Sequence, residues 1–271
     1  MTFVGRDLRG VKFTGADLSN STLTNNNFDG DDFSGATLMN THVHASSFKG
    51  ANFTGATIYL AGAPSLLDMG SSYFNHTNEN MDFRNANFTN ANLIGSPSST
   101  SGYWQADYKG ANFTGTTISR TIEMSDMTGV DFRNTRFAPE GGIWTKAGFG
   151  STNLSFANFS GMKLDHFIAG DVATKLEHAD FSNTTITNSS FNSAGYGAVG
   201  ANFTNSTIKD VDWQSADLNF ADFTDAHLEN IDFTYTRAAN MITDGVTWVN
   251  VICPDQTNSN DNGNTCVGHL E

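Results

Sequence analysis

Large apolar residues return every five positions between Phe3 and Phe233. The run that begins Asp7-Leu8, Lys12-Phe13 shows this spacing, and the tripeptide Ala51-Asn52-Phe53 recurs at residues 86, 111 and 201. A five-residue period matches neither the 3.6-residue period of a helix nor the alternation of a strand. It indicates a chain that turns a corner every five residues and points one large side chain inward from each side.

The repeat also predicts a second, small inward residue. If the large residue is called the central residue, alanine often stands two positions before it, as at Ala16, Ala36, Ala111 and Ala221. One large and one small inward side chain allow a tight square coil to close without voids. The other positions carry Asp, Asn, Thr, Ser and Gly, which face solvent or turn the corner.

This pattern resembles the pentapeptide-repeat family, whose members form a right-handed quadrilateral β-helix with four five-residue faces per coil. The resemblance covers about 230 residues and implies an all-β, parallel β-helix (solenoid) over residues 1–237. In such a body each coil contacts only its neighbours. Roughly ten coils at the ~4.8 Å strand spacing predict a length of roughly 50 Å.

The repeat is interrupted after groups of three regular faces. Because the interruptions follow the same number of faces, they are predicted to leave successive coils at one side, as loops at 59–75, 94–100, 138–146 and 165–173. Smaller irregularities occur near 119–121 and 192–195. The first interruption is also long enough to hold an additional, degenerate coil, and the sequence leaves that alternative open.

The fourth face and the C-terminus are the least regular parts of the pattern. The fourth inward column is predicted to contain Leu23, Val43, Tyr103, Ile122, Phe149, Leu176 and Leu218. Residues 238–271 are predicted to form a cap and a polar tail. The residues expected to leave the five-residue rhythm and cover the last coil are Met241, Ile242, Val246, Trp248, Val251 and Ile252.

The two cysteines, Cys253 and Cys266, both lie in this tail. The stretch from Cys253-Pro254-Asp255 to Cys266 resembles a terminal signature of bacterial pentapeptide-repeat proteins, several of them exported. The sequence separation permits a disulfide, which favours an oxidising compartment, secreted or periplasmic. At the other end the repeat begins at Phe3. Either the chain was cut from something longer or a partner covers the first coil, which also allows end-to-end association.

The chain is acidic, with 28 Asp and Glu against 14 Lys and Arg, a net charge of −14 and a pI near 4.6. Direct nucleic-acid binding needs clustered cations, so it is not expected. An acidic surface either attracts a basic partner or only keeps a long surface soluble. No apolar run approaches the ~18 residues that a membrane span requires.

Many aspartates precede a central residue and should face solvent. Asp212 and Asp232 are one coil apart, so their carboxylates should be stacked. The structural alternative is that Asp and Asn simply suit this position. The candidate acidic surface comprises Asp210, Asp212, Asp217, Asp222, Asp225 and Asp232.

The sequence offers no catalytic motif and no cofactor site. His42 and His44 flank the inward Val43 and are too few for a metal site. Asn258, Asn260 and Asn262 partly match a calcium loop, but His269 stands where that loop needs a bidentate glutamate.

The interruptions contain large side chains that either contact a partner or fold back over the fourth face. These candidate partner-binding residues are Met69, Tyr103, Trp104, Trp144, Phe167 and Tyr196. The first functional hypothesis is therefore a non-enzymatic, structural or protein-interaction solenoid that binds a macromolecular partner through loops on one side.

The resemblance implies one alternative function. Pentapeptide-repeat proteins of the quinolone-resistance type resemble B-DNA in size and charge and occupy the DNA site of a type II topoisomerase, gyrase, in the cytoplasm. Those proteins pair through a C-terminal helix, whereas this tail is rich in Asn, Thr and Gly. A glycan-binding or glycan-hydrolysing β-helix has less support, because no single acid/base pair can be distinguished.

Overall fold

The computed structural model describes residues 1–60, 81–95, 106–118, 122–123, 125–137, 147–169, 173–192 and 197–270. The chain divides into two compact units, Met1–Trp144 and Thr145–Glu271, called here the N-terminal and C-terminal units. In each unit short parallel strands and isolated bridges stack one coil on the next, with about ten turns in all. The predicted all-β, parallel solenoid is confirmed.

The N-terminal unit has three parallel sheets, with strand orders β1-β2-β4, β6-β8 and β3-β5-β7-β9-β11. Its strands are β1 (Thr2–Val4), β2 (Thr22–Thr24), β3 (Thr37–Met39), β4 (His42–His44), β5 (Thr57–Leu60), β6 (Met81–Asp82), β7 (Asn92–Gly95), β8 (Ala106–Asp107), β9 (Thr117–Ile118), β10 (Ile122–Glu123) and β11 (Arg136–Phe137).

The C-terminal unit has one parallel sheet of order β13-β15-β16-β17-β18 and a parallel pair, β12-β14. Its elements are β12 (Ala147–Gly150), β13 (Lys163–Asp165), β14 (Phe167–Ile168), β15 (Thr185–Thr187), β16 (Thr207–Asp212), β17 (His227–Asp232), β18 (Thr247–Val249) and the 3₁₀ helix η1 (Ser259–Asp261).

Each corner is a turn that a left-handed residue makes possible. At a typical corner the carbonyl of the central Phe13 accepts a hydrogen bond of 2.9 Å from the N–H of Ala16. Gly15, between them, has a φ of 63°, as a type II turn requires. Glycine and asparagine tolerate this conformation best, so they fill most corners and the backbone closes a coil every four faces.

The core consists of stacked rings. Phe33 lies between Phe13 and Phe53 with ring centroids 4.7 and 4.9 Å away and nearly parallel planes. The neighbouring column meets it edge-on, as Phe28 does at 5.5 Å. Both geometries are favourable for aromatic pairs. The small residues Ala36 and Ala51 are fully buried, so each face directs one large and one small side chain inward.

Strand pairing shows where the N-terminal unit departs from twenty residues per coil. Asp7 pairs with Asn27, twenty residues on, but Ser47 pairs with Asp82 and Met81 with Ala106. The irregular lengths all follow one column, which holds Ile58, Leu93 and Ile118. The predicted interruption of one side is confirmed within this unit. Because Ser47 pairs directly with Asp82, these two residues belong to adjacent coils, and the possible additional coil falls on residues 61–80, outside the described residues.

In the C-terminal unit the coil length falls from 22 residues to 20. Asn158 pairs with Asp180 and Asp180 with Asn202 at 22-residue offsets, and Asn202 pairs with Asp222 at 20. The extra residues lie between Ala169 and Leu176 and between Phe191 and Ala198, after the same face each time.

Two residues of the predicted fourth column belong to another column. The N–H of Leu154 donates to the carbonyl of Lys175, and that of Leu176 donates to Gly197. These bonds stack Leu154, Leu176 and Ala198, and Leu218 continues that column. The placement of Leu176 and Leu218 in the fourth column is therefore wrong, because it did not allow for the 22-residue offset.

Residues 238–253 form a further coil. Ile242 bridges Asp222, β18 pairs with β17, and Ile252 bridges Asp232. The prediction that this stretch leaves the five-residue rhythm is wrong. Ala238, Thr243, Trp248 and Cys253 stand five residues apart at central positions. The following residues fold back over this coil, where the N–H of Ser259 donates to the carbonyl of Val251 and the N–H of Val251 donates to the hydroxyl oxygen of Ser259.

Candidate interaction surfaces

Of the six predicted partner-binding residues, one lies in the described part of the chain. Met69, Tyr103, Trp104, Trp144 and Tyr196 lie outside the described residues. Phe167 is described, and its side chain is only 1% exposed. The prediction that residues 165–173 leave the coil is wrong for 165–169, which continue through β13 and β14. Phe167 therefore cannot contact a partner in this conformation.

The burial of Phe167 follows from a reversal of residue sizes. Phe167 occupies the position that is usually small, and the central residue two positions later is Ala169. The ring of Phe167 lies 5.6 Å from that of Phe149 and 5.7 Å from those of Phe159 and Phe191. It fills the volume that the alanine leaves empty.

Four of the predicted acidic residues also form turns. Asp212, Asp217, Asp222 and Asp232 precede a central residue, and one carboxylate oxygen of each accepts a backbone N–H two residues later, at 2.8–3.1 Å. This is an Asx turn, which asparagine makes equally well. The structural explanation for Asp at this position therefore holds.

The other two acidic residues stand at corners. Asp210 and Asp225 have left-handed backbones, with φ of 55° and 58°. Asparagine occupies the same corner one coil after Asp210, and the Asn230 amide donates to the Asp210 carboxylate at 2.8 Å. These aspartates are exposed, and their conformation suits a short polar side chain.

Asp212 and Asp232 are direct neighbours on β16 and β17. Amide groups bind their outer oxygens: Asn192 donates to Asp212 at 2.9 Å and Gln214 to Asp232 at 2.8 Å. The donors reduce the repulsion between the stacked carboxylates. Both aspartates line a shallow surface groove with Asp210.

The acidic charge is concentrated in the C-terminal unit. Residues 145–271 contain fifteen Asp and Glu against five Lys and Arg, whereas residues 1–144 contain thirteen against nine. Within the described residues, Lys209 pairs with Glu229 and Arg237 with Asp217, both at 2.8 Å. The C-terminal unit therefore carries a large excess of negative charge.

Three exposed aromatic residues of this unit were not predicted from the sequence. Phe156, Phe220 and Tyr235 are 61%, 60% and 67% exposed, and their φ angles are 60°, 61° and 59°. Bulky residues rarely adopt this conformation. Each stands two positions after a central residue, where glycine or asparagine is usual. An aromatic residue at a position that usually holds glycine or asparagine is the sequence feature that could have identified them.

A disulfide closes the C-terminal cap. Cys253 and Cys266 are bonded, with Cα atoms 5.6 Å apart. Beside them the Asp255 carboxylate accepts the Thr257 hydroxyl at 2.7 Å and lies 2.7 Å from His269 Nδ1. These hydrogen bonds, from Thr257 first and then His269, lower the pKa of Asp255 to about 2.

The asparagines that partly match a calcium loop form hydrogen bonds within the cap. The side chain of Asn258 accepts the N–H of Asn260 at 2.9 Å and so caps η1. The Asn258 amide donates to Asn250 at 3.0 Å. His42 and His44 lie on β4, on either side of Val43.

The described part of the chain contains neither a group of metal-ligating side chains nor a helix that could span a membrane. No three His, Cys, Asp or Glu side chains there are grouped in a way that could hold a metal ion. Over the same residues, no helix has the length and apolar character needed to cross a bilayer.

Solved structures similar to this chain include those of three proteins, all at low TM-scores. HetL of the cyanobacterium Nostoc sp. strain PCC 7120, which is involved in the regulation of heterocyst differentiation, is 18% identical over 95% of this chain and 89% of its own, at a TM-score of 0.30. Full-length QnrB1, a plasmid-mediated fluoroquinolone resistance protein, is 21% identical over 91% and 92%, at 0.26. Rfr23 of the cyanobacterium Cyanothece 51142 is 19% identical over 51% and 84%, at 0.16. These scores carry no argument about function.

Sequence comparison identifies repeats of one family in three segments of the chain. No curated protein matches this chain. The model of the family described as pentapeptide repeats matches in eight copies, over residues 7–40, 79–96 and 199–234. Central residues of the matched segments, such as Phe33, Phe88 and Phe203, lie in the stacked columns of the two units. This chain therefore contains pentapeptide repeats and folds as a β-solenoid.

Proposed function

We propose that this protein is a non-enzymatic interaction solenoid, which binds a protein partner through segments inserted at one side of its coils. The observation that carries the proposal is the common position of the irregular turns, which in the N-terminal unit all follow the column of Ile58, Leu93 and Ile118. Segments inserted there can vary while the paired coils stay intact, which is how binding loops are presented on rigid scaffolds. Met69, Tyr103, Trp104, Trp144 and Tyr196 belong to these segments.

Shortening the longest insertion tests this proposal. Removal of fifteen residues within 61–80 reduces the offset between Ser47 and Asp82 from 35 residues to the ordinary 20. A matched variant replaces the same fifteen residues by a flexible Gly-Ser sequence of equal length. Partners retained by the crosslinked wild-type protein from its native lysate are then identified by mass spectrometry.

Both variants should lose the same partner while unfolding at nearly the wild-type temperature. If both variants retain every partner of the wild type, this inserted segment is not the binding site. Loss in the shortened variant alone would mean that the length of the insertion matters and its side chains do not.

A second candidate function is a DNA mimic that occupies the DNA site of a type II topoisomerase. The stacked Asp212 and Asp232 and the acidic excess of the C-terminal unit support it. Purified gyrase should then lose supercoiling activity at micromolar protein. The double variant Asp212→Asn/Asp232→Asn keeps the turns and should inhibit less. Unchanged supercoiling with the wild-type protein would remove this candidate.

A further inference from the structure

One corner of the C-terminal unit carries a row of exposed rings. Phe156, His178, Gly200 and Phe220 occupy the same left-handed corner in four successive coils. The rings of Phe156 and His178 stack, with centroids 5.2 Å apart and planes 23° apart. The His178 ring covers Gly200, where an added Cβ would lie 2.6 Å from its atoms. Phe156, His178 and Phe220, called here the aromatic strip, therefore cover four coils.

Phe156 and Phe220 are expected to destabilise the fold relative to glycine or asparagine at the same corner. A left-handed backbone is strained for a bulky side chain, and Asn240 shows that asparagine fits the same corner one coil after Phe220. Both rings are about 60% exposed, so burial compensates little of the strain. Strain and apolar exposure at the same corner are typical of a binding surface.

Acidic side chains border the aromatic strip on both sides. Glu177 precedes His178 and Asp180 follows it, and Asp222 follows Phe220 on the same face as Asp180. All three are half-buried. Two described cations, Lys175 and Arg237, lie on the face that precedes the strip. Lys175 stands next to the central Leu176, and Arg237 is paired with Asp217. The immediate border of the strip is therefore anionic.

We infer that the aromatic strip binds an arginine-rich segment of the protein partner, whose guanidinium groups stack on Phe156 and Phe220 and pair with the bordering carboxylates. The inference rests on the proposed function, since it gives the chemistry of that partner. A planar guanidinium stacks face-on on aromatic rings and forms bidentate pairs with carboxylates, whereas a lysine ammonium acts as a compact point charge. A neutral glycan would also stack on the rings but gains nothing from the acidic border.

Binding of a labelled peptide of alternating Arg and Gly to the full chain tests the inference by fluorescence anisotropy. The double variant Phe156→Asn/Phe220→Asn should weaken binding about tenfold, because two exposed cation–π contacts are lost. It should unfold no earlier than the wild type, because asparagine suits the corner. A peptide of alternating Lys and Gly should bind more weakly than the arginine peptide and respond less to the double variant.

Two matched controls separate the aromatic strip from its surroundings. Tyr235 is also an exposed aromatic with a left-handed backbone, but it stands at another corner, so Tyr235→Asn should leave binding unchanged. Asp180→Asn/Asp222→Asn should weaken binding, whereas Asp210→Asn, which removes an acid from a distant corner, should have little effect.

Three results would overturn the inference. One is no binding of the arginine peptide. Another is equal binding by the wild type and the Phe156→Asn/Phe220→Asn variant, which would show that net charge alone attracts the peptide. The third is binding of a neutral oligosaccharide such as cellohexaose to the strip in place of the peptide. The phenylalanine variants keep the inserted segments and the shortened variants keep the strip, so each proposal can fail without the other.

Discussion

At the scale of single residues, the coil fixes the volume available to two inward side chains and not their order. Phe167 and Ala169 reverse the usual order, yet both are buried and the ring contacts its aromatic neighbours at ordinary distances. In the next coil the large residue, Phe191, is central as usual. The combined volume of the two inward side chains therefore decides whether they fit inside the coil.

Phe167→Ala should lower the free energy of unfolding by about 3–5 kcal/mol, because it leaves a cavity between stacked rings. The swapped variant Phe167→Ala/Ala169→Phe restores both the combined volume and the usual order, so it should recover most of this loss. Urea unfolding of the three proteins measures both effects. If the swapped variant is as unstable as the single one, order matters as well as volume.

Replacement of the buried Asp31 by asparagine should increase the stability of the protein, and the increase should depend on pH. The side chain of Asp31 is 2% exposed, and one oxygen accepts the N–H of Gly10 while the other has no partner among the described residues. Burial raises its pKa above the ordinary 3.8, so folding favours the neutral carboxyl. Asp31→Asn should therefore stabilise the protein at neutral pH, by about 1 kcal/mol. Asn26, in the preceding face, shows that an amide fits at such a position.

The gain from Asp31→Asn should shrink as the pH falls through the raised pKa of Asp31 and disappear below pH 3.8. There the carboxyl is neutral in both the folded and the unfolded protein. The neighbouring Asp32 is the control. Hydrogen bonds from Ser34 and then Thr14 lower its pKa to about 2. Asp32→Asn should thus destabilise the protein above pH 3.8, and this difference should vanish as the pH falls towards 2. Thermal unfolding from pH 2 to 7 would contradict the account if both variants shifted in the same direction.

At the scale of coils and caps, the sequence predicted what depends on the five-residue period and missed what does not. The columns through Phe13 and Phe28 follow from spacing alone. Leu176 and Leu218 were misplaced because short insertions change the coil length by two residues, and spacing does not show at which corner they leave. The coil of residues 238–253 was missed because Ala238 and Thr243 stand where large residues are usual.

The surface was harder to predict than the core, because polar positions obey weaker constraints. The Asx turns explain why Asp and Asn alternate freely before a central residue, so a sequence cannot separate a turn-forming aspartate from a binding one. The exposed Phe156 and Phe220 could have been found by asking which corners lack glycine or asparagine. Apolar character alone suggested core residues instead.

The C-terminal cap should depend on its disulfide. Replacement of Cys253 and Cys266 by serine should cost about 3 kcal/mol, as expected for a loop of about this length. Hydrogen exchange should become faster first at the N–H groups of Val251 and Ser259, whose hydrogen bonds connect the cap with the last coil. Equal exchange rates in the oxidised protein and the serine variant would show that hydrogen bonds alone hold the cap.

At the scale of the whole molecule, a solenoid gains its stability from contacts between neighbouring coils. Removal of one complete coil should therefore preserve the fold. Deletion of residues 204–223 joins Phe203 to Thr224 and keeps the central residues five positions apart. The shortened protein should unfold cooperatively with a modestly lower free energy.

Deletion of residues 204–221 is the matched control. It removes two residues fewer and places Phe223 at a corner, so the following coil loses its register and the protein should be much less stable. Circular dichroism and urea unfolding distinguish the two deletions. Equal stability of both proteins would show that register is not set by the five-residue spacing.

Ser47 pairs directly with Asp82 although 34 residues separate them along the chain. Peptides of any length can therefore be gained or lost between Ile58 and Met81 during evolution without a compensating change in the stacked rings. Recognition can diverge rapidly among descendants that keep one unaltered framework. The same junction is a natural place to graft a foreign epitope.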